Sequence, residues 1–162
     1  METLALNHPF EPVYDKGCRI LILGTFPSVK SRQNAFYYGH PQNRFWRVLA
    51  SVYGEAVPEE IPEKRAFLLR HHIALWDVIG GCRITGSSDS SIRDAVPNDL
   101  PGLMAKCSID RIILNGKTAE KIFLKYWEGL PVRHLTLPST SPANAAWRLE
   151  QLTKAWREAV KE

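Results

Sequence analysis

Ile20-Leu-Ile-Leu-Gly-Thr-Phe-Pro-Ser28 is a short, wholly apolar run that empties into a Gly/Pro loop. An apolar run without polar alternation fits a strand buried on both faces, as in a parallel sheet covered by helices. Further along, Tyr38-Gly-His-Pro-Gln-Asn-Arg-Phe-Trp46 opens the next ordered element with an asparagine and two aromatics. Open α/β sheets bind ligands just outside the carboxyl ends of their strands, so this loop and its aromatics are where chemistry is expected.

The same design recurs downstream. Arg19–Leu23, Ile73–Val78, Arg111–Leu114 and Arg133–Leu137 read as four strands. Helical spacing follows each: Phe45, Val48, Leu49 and Val52 after a cap at Asn43 or its neighbour, then residues from Pro62 to His72, a short turn around Leu100, Leu103 and Met104, and Lys117–Trp127. A last helix is expected from Ala145, Leu149, Leu152, Trp156 and Ala159. The pattern predicts a three-layer α/β/α domain over residues 1–162 with a central four-stranded parallel sheet. Loops starting at Gly24, Asp77, Asn115 and Pro138 then gather at one sheet edge. Residues 1–17, with Pro9 and Pro12 among aromatics, read as an irregular arm, and Gly80, Gly81, Gly86 and Ser87–Ser91 as an exposed flexible loop.

Composition narrows the class. With 44% hydrophobic residues and five Trp, the 162-residue chain can bury a full core. A net charge of +4 is only mildly basic and by itself favours a polyanionic partner weakly. Cys18, Cys82 and Cys107 lack metal-ligand spacing and read as reduced core thiols. No metal or cofactor is expected. The N-terminus has no signal-peptide pattern and no run is long enough for a membrane span, so a soluble, cytoplasmic monomer is expected.

Several familiar chemistries fail on spacing. Asn115-Gly-Lys-Thr118 resembles the tail of a P-loop, but the leading glycine would fall at Arg111. Asp15, Asp77, Asp89 and Asp94 show no close pairing of the two-carboxylate kind, and no Gly-x-Ser-x-Gly elbow exists. His40 is a possible base, though His-Pro before a helix also suits a structural turn. What remains is a stiff constellation of the Gly24–Ser28 loop, Tyr37-Tyr38 and the Pro138–Pro142 loop. Such loops bring N–H and hydroxyl groups to phosphates, while a tyrosine face can stack on a base; alternatively both tyrosines are core.

Five segments in order carry a family resemblance: Gly24-Thr-Phe-Pro-Ser28, Phe36-Tyr-Tyr-Gly-His-Pro-Gln-Asn-Arg-Phe-Trp46, Trp76-Asp77, Leu114-Asn-Gly-Lys117 and Leu137-Pro-Ser-Thr-Ser-Pro-Ala-Asn144. Together they resemble the uracil-DNA glycosylase superfamily, and within it the hypoxanthine-DNA glycosylase branch. The chain departs from other branches at the loop positions where a water-activating carboxylate or amide would stand, which hold Thr25 and Phe26 here, and at Leu137, where some relatives have His.

The resemblance implies a monofunctional glycosylase that removes a deaminated base, hypoxanthine first and uracil second, from DNA. It points to Asn43 as the catalytic amide, a residue equally suited to cap a helix. Thr25, Phe26, Tyr38, Asp77 and Asn115 are implied to hold the base, with Phe26 and Tyr38 flanking it and Asp77 accepting the N1–H of hypoxanthine or N3–H of uracil. Asp77 as a plain turn cap is the alternative. Pro27, Ser28, Lys30, Ser139, Thr140 and Ser141 are implied to meet the DNA backbone, with Arg32 adding general attraction. A catalytically silent lesion-binding module is the other reading left open, because the loop carboxylate is missing.

Overall fold

In the computed structural model, which describes residues 3–161, strand β1 (Thr3–Asn7) is followed by β2 (Ile20–Gly24), α1 (Val29–Asn34), α2 (Phe45–Tyr53) and α3 (Ile61–Arg70). The chain continues through β3 (Ile73–Asp77), β4 (Ile79–Thr85), β5 (Arg93–Pro97), α4 (Leu100–Met104) and β6 (Arg111–Asn115). It ends with α5 (Lys117–Trp127), β7 (Arg133–Leu137) and α6 (Leu149–Val160).

The expected four-stranded parallel sheet is present, in the order β3-β2-β6-β7. Strand β2 sits inside it and all five of its residues are buried. Its side chains alternate between two cores. Ile20 and Ile22 pack with Val48, Leu49 and Trp156 beneath α2 and α6, whereas Leu21 and Leu23 join Ile112, Leu114 and Phe123 beneath α5. Each fully buried aliphatic side chain contributes roughly 1.5–3 kcal/mol, so this double burial anchors the strand register.

Three expectations change. Residues 3–7, placed in an irregular arm, form a strand that pairs antiparallel with β4. The segment read as a flexible loop from Gly80 onward instead supplies β4 and, after a turn at Asp89–Ser91, β5, giving a second, antiparallel sheet in the order β1-β4-β5. Glycines there have structural reasons: a Cβ on Gly80 would fall 2.6 Å from the Asn98 Oδ1, while Asn98 donates to the Asp77 and Ile79 carbonyls. The last helix begins at Leu149 rather than Ala145, and only its Leu152, Trp156 and Ala159 positions are buried as expected.

No helix among the described residues is long and apolar enough to cross a membrane.

Candidate active site

The carboxyl ends of β2, β3, β6 and β7 open onto a cleft of about 310 Å³. Its first wall is the loop after β2, with Thr25, Phe26, Pro27 and Ser28 all facing it. Tyr38, Asn43, Asp77 and Asn115 converge from four separate segments. Ser139, Thr140 and Ser141 close the far side. Of the residues implied to hold the base or meet the DNA, Lys30, exposed on α1, and Arg32 stay outside the cleft lining.

The floor is built around Gly24. A methyl group there would lie 2.6 Å from Asp77 Oδ1 and 2.7 Å from the Tyr38 hydroxyl, so the two oxygens crowd over one backbone position that only glycine leaves open. Burial, reinforced by the charge of Asp77, pushes the Tyr38 phenol well above its ordinary range, which keeps it a hydrogen-bond donor. The phenol oxygen accepts from the Asn115 amide at 3.2 Å, leaving its own hydrogen available. One face of the Tyr38 ring is stacked on Phe45, with centroids 4.0 Å apart. Tyr37 takes the other reading left open: it is core, 2% exposed, with its hydroxyl donating to the Glu11 carbonyl.

Asp77 is not an exposed turn cap; it is 4% exposed. Its Oδ2 lies 2.8 Å from His8 Nε2. The other ring nitrogen of His8 lies 2.8 Å from the Phe10 carbonyl, which can only accept, so Nδ1 carries a hydrogen. The Nε2–Oδ2 contact therefore holds one further proton, on either atom. In both cases Asp77 Oδ1, beside Tyr38, is left as a pure acceptor. His8 had been assigned to the irregular arm, and nothing short-range in the sequence signals its pairing across the fold.

Asn43 lines the cleft at the start of α2. Its Oδ1 accepts from the Phe45 N–H at 2.9 Å, satisfying the first free N–H of α2 from the residue before the N-cap Arg44, and also from the Thr140 hydroxyl at 2.9 Å. Thr140 in turn accepts from the Asn115 amide at 3.1 Å. This relay fixes which end of the Asn43 amide is oxygen. Among the described residues its NH2 has no protein partner.

Thr140 itself corrects an expectation. It is fully buried, its backbone N–H donates to Asn115 Oδ1, and its side chain belongs to the relay rather than to a phosphate contact. Ser28 caps α1, accepting from the Ser31 N–H and donating to the Ser31 hydroxyl, so its hydroxyl is committed within the protein. Arg32 donates to the Pro27 and Gly86 carbonyls and braces two loops. Ser139 and Ser141 differ, because each hydroxyl accepts a loop N–H and keeps its own hydrogen to give.

Arg44 holds the Ser139–Trp147 loop in place. Its side chain donates to the Ser141, Asn144 and Trp147 carbonyls, and its backbone N–H to Thr140 O at 3.1 Å. Gly116, at φ +99°, lets the same loop approach, since a Cβ there would meet Ser139 at 3.0 Å.

The turn after β4 adds a residue that the sequence reading weighed only as an unpaired acid. Asp89 lines the cleft at its exposed rim, and partial desolvation pushes its carboxyl up to about 6, with hydrogen bonding from Thr25 opposing and the charge of Asp77 adding. His40 also faces the cleft. Its Nδ1 accepts from the Gln42 N–H at 3.0 Å, the turn geometry expected of His-Pro.

Comparison with known proteins agrees with this geometry. Residues 11–160 match the model of the family described as the uracil DNA glycosylase superfamily. A protein of Methanosarcina acetivorans named hypoxanthine DNA glycosylase is 38% identical over 141 residues, covering 86% of this chain and 89% of that one. A Methanosarcina barkeri protein of the same name is 33% identical over 154 residues, 94% of this chain and 96% of its own length. The solution NMR structure of a candidate uracil DNA glycosylase from Methanosarcina acetivorans superimposes with a TM-score of 0.81 at 31% identity, covering 98% of this chain and all of the other. The chain belongs to the uracil DNA glycosylase superfamily.

Proposed function

We propose that this protein is a monofunctional DNA glycosylase that draws a deaminated nucleotide out of DNA and hydrolyses its glycosidic bond, hypoxanthine first and uracil second, leaving an abasic site. The observation that carries this reading is the acceptor and donor pair around Gly24. Asp77 Oδ1 can only accept and the Tyr38 hydroxyl is available to donate. A lactam edge, N–H beside C=O, meets both groups favourably: N1–H and O6 of hypoxanthine, or N3–H and a carbonyl of uracil. Adenine presents the reverse, with its N1 lone pair against a carboxyl oxygen and its amino group against a hydroxyl donor. Each polar mismatch in a dry pocket costs about 1–3 kcal/mol, enough to refuse the normal base. The names of the two Methanosarcina relatives point the same way.

Hydrolysis separates charge, leaving the sugar positive and the base negative. The Asn43 NH2 and the Tyr38 hydroxyl are prepositioned donors for that negative charge, and one such donor typically contributes on the order of 100-fold or more to the rate. Phe26, 8% exposed, forms an apolar wall, and the free face of Tyr38 offers a stacking surface. Ser139 and Ser141 supply hydroxyls to the phosphates beside the everted nucleotide, with Lys30 contributing charge at longer range. The described cleft wall carries no lysine, so Schiff-base lyase chemistry has no nucleophile there. The enzyme acts as a monomer, in the cytoplasm with the chromosomal DNA.

Single-turnover incubation with oligonucleotides carrying inosine, uracil or xanthine, followed by alkali to cut abasic sites, tests the proposal. Release of hypoxanthine with adenine untouched is expected. Tight binding without any base release would favour the lesion-binding module.

A further inference from the structure

Attack on the sugar requires a water that can lose a proton, and few groups in the cleft can accept one. Asp77 lies at the floor with Oδ2 engaged by His8, at the depth of the base edge and not of the sugar. His40 receives a backbone N–H on Nδ1, so in its neutral form the hydrogen is on Nε2 and the ring offers the cleft a donor, not an acceptor. An amide such as Asn43 has no basic site, and burial keeps Tyr37 and Tyr38 protonated. Among the described residues lining the cleft, Asp89 is the other carboxyl.

Its placement suits the task. Asp89 is exposed and lines the same cleft as the buried Asp77, so a base seated on Asp77 and Tyr38 leaves its sugar toward the rim that Asp89 occupies. The turn that carries it is braced against the first loop: Arg32 bridges the Pro27 and Gly86 carbonyls, and the Ser87 hydroxyl accepts the Val29 N–H at 2.8 Å. Resting on the glycosylase reading above, we infer that Asp89 is a catalytic residue, the general base that takes a proton from the attacking water. The water oxygen forms the new bond to C1′ as the bond from C1′ to the base nitrogen breaks. The bonding electron pair leaves on the base, and the proton passes from Asp89 through solvent to the departed anion.

The carboxyl must be ionised to act, and its pKa of about 6 leaves it so at neutral pH. The titratable and charged groups around it are Asp77 with its partner His8 on the floor, Tyr38, and Cys82 on β4 with Arg32 beside it. The test compares single-turnover excision of inosine by the wild type, Asp89→Asn, Asp89→Ala and Asp94→Asn. Asp94 lies outside the cleft and controls for loss of one negative charge. A loss of about 10²–10⁴-fold in both Asp89 variants, with DNA affinity kept, is expected of a general base, together with partial recovery of Asp89→Ala by added formate. The wild-type rate should rise with pH through about 6, and that limb should vanish in Asp89→Asn. Asp89→Asn rates within about threefold of wild type, or a loss that formate leaves uncorrected, would overturn the assignment. A wild type that releases no base would overturn the glycosylase reading and this inference with it.

Discussion

The His8 ring and the Asp77 carboxyl group meet at 2.8 Å with side-chain exposures of 4% and 5%, joining the first strand's end to the floor of the cleft. A buried pair of this kind is costly to break on one side, because the survivor stays desolvated. His8→Ala should destabilise the fold by about 3–5 kcal/mol, read from chemical denaturation. Pairing it with Asp77→Asn should recover part of that loss in a double-mutant cycle. Additive effects would show that the contact carries no coupling.

Asp77→Asn exchanges a pure acceptor for a group that can also donate. Its amide can turn NH2 toward Oδ1's former position and satisfy the N1 of adenine. The ratio of inosine to adenosine excision should fall by roughly tenfold or more, about 1.4 kcal/mol, while affinity for undamaged DNA changes little. An unchanged ratio would remove Asp77 from base reading.

Asn43 separates capping from chemistry. Asn43→Asp retains a side-chain oxygen to accept the Phe45 N–H but loses the NH2 donor, so it should keep α2 intact and lose excision by roughly 100-fold. Asn43→Ala loses both, with about 1 kcal/mol of stability in addition. Circular dichroism and single-turnover rates distinguish the two effects, and full activity in Asn43→Asp would confine this residue to capping.

Asp89 carries a stability signature of its own. Its carboxyl titrates near 6 in the folded chain against an ordinary value of 3.8. Between those values the native state holds the proton more firmly than the unfolded chain, so this group's contribution to stability is present below the ordinary value and is lost as pH rises through about 6. Asp89→Asn removes that dependence. Relative to wild type, its melting temperature should gain more at pH 8 than at pH 4; an equal gain at both would mean the carboxyl is unperturbed.

The parallel sheet was legible because its two inner strands, β2 and β6, are centred on continuous apolar runs. Ile20–Leu23 packs on both faces and has no competing periodicity. The antiparallel sheet was hidden for the opposite reason: β4 contains Gly80 and Gly81, which contribute backbone pairing without side-chain burial, and β1 is mostly exposed. Loop motifs located Asp77 and Asn115 because they end β3 and β6, and Tyr38 and Asn43 because they stand in the loop between α1 and α2. His8 reaches Asp77, and Asp89 the cleft, only through that second sheet, His8 just past the end of β1 and Asp89 in the turn after β4. The partners of the Thr140 hydroxyl, Asn43 and Asn115, are set by tertiary contacts that the sequence does not display, whereas the Ser28 hydroxyl is held locally by Ser31.

The central claim is that one everted base sits over Gly24 between Asp77 and Tyr38. A crystal structure with duplex DNA carrying 2′-fluoro-deoxyinosine, which slows bond cleavage, measures this directly. The account predicts hypoxanthine in the cleft with N1 within hydrogen-bond distance of Asp77 Oδ1 and O6 within reach of the Tyr38 hydroxyl. A lesion left stacked in the duplex, or a base seated elsewhere on the protein, would contradict it.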